Sequence, residues 1–457
     1  MTRYENVFVL PLLPDRYLLH APLSRLSAVI NHEALVQLRN YLQAQKAPSD
    51  PALYTLYNHL VTPELDSPLP RDGPLNAPCF LGLIPTRSCN MACVYCDFAT
   101  LRGQDVTMSY SLARAAIDAY LQLLERNAYA KTPIHFFGGE PFFAFDLVQF
   151  AVDYARQQAN RLNRRIHFEA TTNGLYPSTR TRWIAANFDT VVLSLDGPPE
   201  VLDSQRPGLN GRSVASQIIA NARIFAASNI DLILRVCVTG ESVAQLPEIA
   251  IWMAESFNPV AICFETLTPT ALSLASGFHP PDPWEFSSQF LQAAKYLESQ
   301  GINTIFSTAE IDNLDDSFCP VGKDALIVSP NGSVNACYQL ETAWQSAGLD
   351  MRLGLVDEKE GCFIIDQAQI EKVRKINVYM HSQCQRCFCR WHCAGGCHLN
   401  LRSEKNGAYS DTCIQTRLTS AFRILRELEQ DFLSQALMEN KSAQLEMVWQ
   451  KDDRLIA

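Results

Sequence analysis

The residues best suited to chemistry are three cysteines in Cys89-Asn-Met-Ala-Cys93-Val-Tyr-Cys96, spaced C-x3-C-x2-C in a loop that follows the apolar run Phe80-Leu-Gly-Leu-Ile-Pro85. Three thiolates can hold three corners of a four-iron four-sulfur cluster, whereas full cysteine ligation takes four. The remaining iron stays open to a substrate or cofactor, which points to chemistry rather than electron storage. Structural zinc would need four protein ligands, and the nearest histidine, His135, lies well outside the loop. A disulfide framework does not fit: the chain has 15 cysteines in 457 residues, with dense C-x2-C spacings that read as metal binding in a reducing compartment.

Composition narrows the class. The chain is 47% hydrophobic and 19% charged, which suits a globular protein with large cores. Its formal net charge of -10 disfavours nucleic acid, which selects basic surfaces. No stretch approaches the roughly 18 apolar residues of a membrane span. The opening Met-Thr-Arg-Tyr-Glu-Asn shows no long apolar signal segment; with the cysteine usage, a cytoplasmic, reducing location is expected, and low-potential iron–sulfur chemistry would also require exclusion of oxygen.

The elements that must position the loop are legible as alternation. From 79 to about 310, continuous apolar runs read as buried strands: Phe80–Ile84, Ile134–Phe137, Ile166–Thr171, Val191–Leu195, Leu232–Val238 and Val260–Phe264. Helical patterns lie between them near 110–128, 145–160, 178–187, 213–228 and 244–256. Such alternation predicts an α/β fold with a parallel sheet, an open or partial barrel whose site lies at the carboxyl ends of the strands. Polar motifs fall there: the cysteine loop, Gly138-Gly139-Glu140-Pro141, Thr172-Asn173-Gly174, Ser194-Leu-Asp196-Gly197-Pro198 and Glu265, with Arg235 read as a buried arginine in mid-strand. Cys79, Cys237 and Cys263 read as small core residues. Residues 1–75 read as a small α+β unit of three short strands and a helix capped by Asn31, followed by a proline-containing linker.

Together these motifs resemble the radical S-adenosylmethionine (SAM) enzymes, over residues 79 to about 310. The resemblance implies a partial (β/α)6 TIM-like barrel in which Cys89, Cys93 and Cys96 hold a four-iron cluster whose open iron chelates S-adenosylmethionine. Tyr95 would lie by the adenine, and Gly138, Gly139 and Glu140 would line the methionine amino group. Asn173, Ser194 and Arg235 would contact ribose and carboxylate.

A second match lies downstream. Cys319, Gly332 and Cys337 are followed by Cys384-x2-Cys387-x5-Cys393-x3-Cys397 and by Cys413. This order resembles the SPASM domain, an auxiliary iron–sulfur module, here over 311–418, with 419–457 as a helix and tail. The alternative on spacing alone is a pair of zinc knuckles. The resemblance assigns Cys384, Cys387, Cys393 and Cys413 to one auxiliary cluster and Cys319, Cys337 and Cys397 to another, three clusters in all. Many members carry a further cysteine shortly before the position of Cys319; here Asp315 or Asp316 could stand in, or an iron could stay open. Cys362 and Cys389 receive no role. Residues 1–75 also resemble winged-helix peptide-recognition domains, a generic capping domain being the other reading.

The function implied is a peptide-modifying oxidoreductase of the kind that matures ribosomal peptides. It would cleave S-adenosylmethionine to a 5′-deoxyadenosyl radical, abstract hydrogen from a precursor peptide and install a carbon or thioether crosslink, a rearrangement or an excision. The expected partners are that peptide, an electron donor such as flavodoxin or ferredoxin, and a small peptide-recognition protein. Formylglycine formation, as in sulfatase maturases, is an alternative, set back by Tyr338 where those enzymes carry an aspartate. Glu265, or Asp196, is the candidate base. An electron-transfer or scaffold subunit is the alternative from another class.

Overall fold

The computed structural model describes residues 6–96, 106–125, 132–401, 409–442 and 452–456. Near the amino terminus, β1 (Phe8–Leu13), β2 (Arg16–Ala21) and β3 (Leu26–Ile30) form an antiparallel sheet. The Asn31 side chain accepts from Ala34 N at 2.8 Å and starts the helix His32–Gln43, as its cap chemistry predicts. A second helix, Pro51–Val61, is started in the same way by Asp50. Leu35, Leu38 and Leu42, at helical spacing, pack with Leu19 and Ile30 of the sheet.

Among the described residues the main sheet has eleven strands. Its centre is β4 (Leu81–Leu83), β5 (Pro133–Phe136), β6 (His167–Thr172), β7 (Thr190–Ser194), β8 (Asp231–Val238) and β9 (Ala261–Thr266), paired in that order and parallel throughout. The helices Tyr110–Glu125, Phe145–Arg161, Ser178–Asn187, Ala215–Ala226 and Leu246–Phe257 make the crossovers. Alternate strand residues, among them Phe136, Phe168, Leu234 and Phe264, point at those helices and are buried. Each such side chain contributes about 1.5–3 kcal/mol on leaving water. The other face, with His135, Glu169, Ser194, Arg235, Cys263 and Glu265, is partly open and forms the lumen of a partial barrel.

The sheet has further strands beyond the six predicted ones at both edges. The parallel strand β10 (Asn303–Ile305) extends it beyond β9. On the other side β11 (Leu326–Val328) pairs in parallel with β4 and continues into β12 (Ser333–Asn335), β13 (Arg352–Asp357) and β14 (Cys362–Ile365), all antiparallel. The cysteine-rich region thus shares a sheet with the barrel. Among the described residues no helix is long and apolar enough to cross a membrane.

Candidate active site at the carboxyl ends of the strands

The cysteine loop is held by backbone contacts from the neighbouring strand exits. Gly139 N donates to Thr86 O at 3.1 Å and Glu140 N to Ser88 O at 3.0 Å, bringing the chain after β5 against the entry of the loop. A Cβ on Gly139 would lie 2.3 Å from Ser88 O and 2.5 Å from Arg87 O, and one on Gly138, at φ +148, would lie 2.5 Å from Thr86 O. Only glycine permits this approach. Gly139→Ala is therefore expected to displace the loop, cost about 1–3 kcal/mol of stability and lower the iron bound per chain. Thermal denaturation and an iron assay check both.

The far side of the loop is tied down as firmly. Ala92 N donates to Pro207 O at 2.7 Å and Val94 N to Gln205 O at 3.0 Å. The Tyr95 hydroxyl donates to Asp196 Oδ2 at 2.5 Å. Asp196 is fully buried and also accepts from Gln205 Nε2 (2.9 Å), Arg206 Nε (2.8 Å) and Cys237 N (2.9 Å). The Arg206 guanidinium lies 5.3 Å from the Tyr95 ring centre. Burial, with Asp196 as a further contribution, pushes the Tyr95 hydroxyl well above its usual range. Asp196 is thus saturated and acts as an anchor, a role distinct from the base considered for it from sequence. Gln205 and Arg206 lack any distinguishing sequence signal.

Glu140 is similarly engaged. It is 1% exposed, and its carboxylate accepts from Asn173 N (2.7 Å), Thr172 Oγ1 (2.8 Å) and Phe142 N (3.1 Å). Burial raises its pKa to about 7, against these hydrogen bonds, which lower it. The carboxylate thereby ties the exit of β5 to that of β6. Asn173 Nδ2 reaches Asn90 Oδ1 at 2.9 Å and the Cys89 sulfur at 3.6 Å, so the Thr-Asn-Gly motif also braces the loop. Ser194, Arg235 and Cys263 are register partners on β7, β8 and β9. Arg235 is exposed, which corrects its reading as buried: it belongs to the lumen face, where a guanidinium can offer paired donors to a carboxylate. Cys237 and Cys263 share that face, only partly buried; the core positions between them are Val236, Val238 and Phe264. Glu265 pairs in register with Cys237 and accepts from Cys263 Sγ at 3.4 Å and from Ser307 N at 3.2 Å and Oγ.

The thiols gather in three groups. Cys89, Cys93 and Cys96 interact electrostatically, as do Cys319, Cys337 and Cys397, and as do Cys384, Cys387, Cys393 and Cys413. Burial pushes Cys89 up to about 11, Cys93 to about 12, Cys319 to about 12 and Cys337 to about 11. Desolvated thiols in such number become thiolates readily only when a cation compensates them, which fits iron–sulfur ligation. Among the described residues no three His, Cys, Asp or Glu side chains converge as one metal ion requires; a cube of irons spreads its ligands more widely. The last group lines a cavity with Arg417 and Tyr409. There Cys387 is drawn down to about 7, first by the buried Cys389 thiol and, against burial, by Arg417. Asp315 pairs with Lys323 and accepts from Asp316 N at 2.9 Å, so its carboxylate is committed to the lysine.

Residues 83–253 match the family described as the radical SAM superfamily. The chain is 21% identical over 337 residues to a cysteine-type anaerobic sulfatase-maturating enzyme of Clostridium perfringens, covering 70% of this chain and 88% of that one. It is 26% identical over 289 residues to mycofactocin maturase MftC of Mycobacterium tuberculosis, covering 60% and 69%. The structure superposes on SuiB of Streptococcus suis bound to S-adenosylmethionine with a TM-score of 0.53 at 15% identity, over 88% of this chain and 96% of that one. The clamped three-cysteine loop at the rim of a parallel sheet thus lies within a radical SAM domain, residues 83–253, and the chain is an enzyme similar to maturases.

Proposed function

We propose that this enzyme oxidatively modifies a ribosomally made precursor peptide, installing a carbon or thioether crosslink or rearranging or excising part of the backbone. Enzymes of the superfamily use S-adenosylmethionine and a four-iron cluster, which when bound supply a 5′-deoxyadenosyl radical able to abstract hydrogen from unactivated carbon. In this reading Cys89, Cys93 and Cys96 hold the cluster. Tyr95, Gly138, Gly139, Glu140, Asn173, Ser194 and Arg235 shape the site of S-adenosylmethionine; Glu140 and Tyr95 do so by fixing the loop.

The observation that carries the proposal is the pair of further thiol groups, Cys319/Cys337/Cys397 and Cys384/Cys387/Cys393/Cys413, in a region continuous with the barrel sheet. Two auxiliary clusters held there supply an acceptor for the electron that an oxidised substrate gives up. Peptide substrates agree with SuiB, which has been solved with its precursor peptide SuiA at a TM-score of 0.51. The small unit of residues 1–75 is the proposed peptide-recognition module, and a flavodoxin or ferredoxin the proposed electron donor. Anaerobic reconstitution with dithionite, S-adenosylmethionine and co-expressed short peptides tests the reading. The expected results are 5′-deoxyadenosine and a peptide lighter by two hydrogens or by an excised fragment. Absence of 5′-deoxyadenosine with every cluster loaded and peptide present would overturn it.

Formylglycine formation is the second reading, favoured by the likeness to the sulfatase-maturating enzyme. Against it, Tyr338 follows Cys337, and its ring packs 4.7 Å from Phe137 and 6.1 Å from Phe80. Burial pushes its hydroxyl far above the usual range, so it does not replace a carboxylate base. Glu265 remains the proposed base facing substrate. Glu265→Gln is expected to lower turnover about 100-fold with unchanged iron content; full turnover would leave Glu265 only a hydrogen-bond partner of Ser307 and Cys263.

A further inference from the structure

The end of the chain returns to the cysteine-rich region. Val9 N of β1 donates to Asp453 O at 2.7 Å and Leu455 N donates to Val7 O at 2.7 Å, so residues 453–455 lie antiparallel to β1. Asp453 N also donates to Arg386 O at 2.9 Å. The Asp453 side chain is fully buried, and Arg417, on the helix Asp411–Glu427, is 1% exposed. Arg417 Nη1 and Nη2 reach the two carboxylate oxygens at 2.5 and 2.9 Å, and Phe388 N donates to Asp453 Oδ2 at 3.0 Å. The same Nη1 lies 3.1 Å from the sulfur of Cys387. The guanidinium is further confined by the rings of Phe388 and Tyr409, at 5.1 and 4.6 Å.

A buried ion pair is weak evidence of a stability role, because desolvation offsets its attraction. Its geometry here has another outcome: one N–H of a fixed cation is delivered to a thiol of the group at Cys384, Cys387, Cys393 and Cys413. We propose that the carboxyl-terminal tail is a strap through which Asp453 holds Arg417 against the Cys387 sulfur and so sets the reduction potential of the cluster bound there. This rests on the reading that those four cysteines hold a cluster. A hydrogen bond from a cation to a ligand sulfur stabilises the more negative, reduced state, and hydrogen bonds to sulfur are among the determinants of cluster potential. Arg417 and Asp453 are positioning residues, and neither belongs to the site of S-adenosylmethionine.

The test is an anaerobic redox titration of the full-length reconstituted enzyme, followed by electron paramagnetic resonance, with iron content and melting temperature recorded for each variant. A background of alanine at Cys89, Cys93 and Cys96 removes the first cluster's signal. Cys413→Ala fixes the assignment of the signal; if it keeps that signal and its iron, the cluster reading falls and the strap with it. Arg417→Gln is expected to lower the midpoint potential of that signal alone, and Arg417→Lys to lie between. Asp453→Asn decides the role of the tail. If Asp453 holds the guanidinium in place, the potential falls as in Arg417→Gln. If the guanidinium stays on the sulfur unaided, losing a nearby negative charge makes the potential rise, which overturns the proposal, as does an unchanged potential in Arg417→Gln. Should Arg417→Gln fail to assemble the cluster, Asp453→Asn, which keeps every thiol and the guanidinium, decides alone.

Discussion

On the proposal that the chain holds three four-iron clusters, each dependent on its thiolates, alanine at Cys89, Cys93 and Cys96 together is expected to remove about a third of the bound iron and to abolish formation of 5′-deoxyadenosine. The loop itself should survive the change. Its hydrogen bonds to Pro207, Gln205 and Asp196 run through Ala92 N, Val94 N and the Tyr95 hydroxyl, none of which involves a thiol. Removing the three sulfurs leaves these ties in place. The variant should therefore melt close to the parent when both are compared without iron, while its activity is lost. An iron assay, chromatography of the nucleoside product and a melting curve check the three parts separately. Retention of all iron would mean that these thiols do not hold a cluster.

Asp196→Ala is expected to have the largest effect on stability, about 3–5 kcal/mol, the usual outcome of removing one partner of a buried ion pair. Arg206 would keep its charge with only 11% of its side chain exposed, facing no carboxylate. Tyr95, Gln205 and Cys237 N would each lose an acceptor as well. The loss should fall on the site as well as on the fold, since Tyr95 is what ties the last turn of the cysteine loop to the exit of β7. Chemical denaturation gives the stability change, and the fraction of iron lost from the first cluster gives the local one. Asp196→Asn, whose single amide oxygen can take the place of Oδ1 or Oδ2 and so serve Cys237 N or Tyr95 but not both, should lie between.

Much of the barrel was legible because its strands bury one face against helices and carry few charges on the other. That same property hides the alternation in β8: Ile233 and Cys237 on the lumen face are apolar enough to make Leu232–Val238 read as buried on both sides, so Arg235 reads as a buried charge. The strand-end motifs stand out by composition, but the local partners of their carboxylates do not. Glu140 and Asp196 spend their carboxylates on backbone and side-chain donors that hold the cysteine loop. Nothing in the short run Leu326–Val328 signals that it would pair with Leu81–Leu83, and nothing near Asp453 points to Arg417, because both pairings join segments far apart in the chain.

The pairing of β11 with β4 bears on how this protein can be made and cut. The parallel sheet has a bare margin at β4 until residues 326–328 have been synthesised and laid against it. A product ending near residue 310 would present that margin, with unpaired N–H and C=O groups, to any other extended chain, the situation that leads strands to aggregate. The radical SAM half is therefore not a cassette to be expressed alone or exchanged between proteins. During synthesis it must wait for the downstream cysteines, and the region that carries them arrives as the missing border of the barrel.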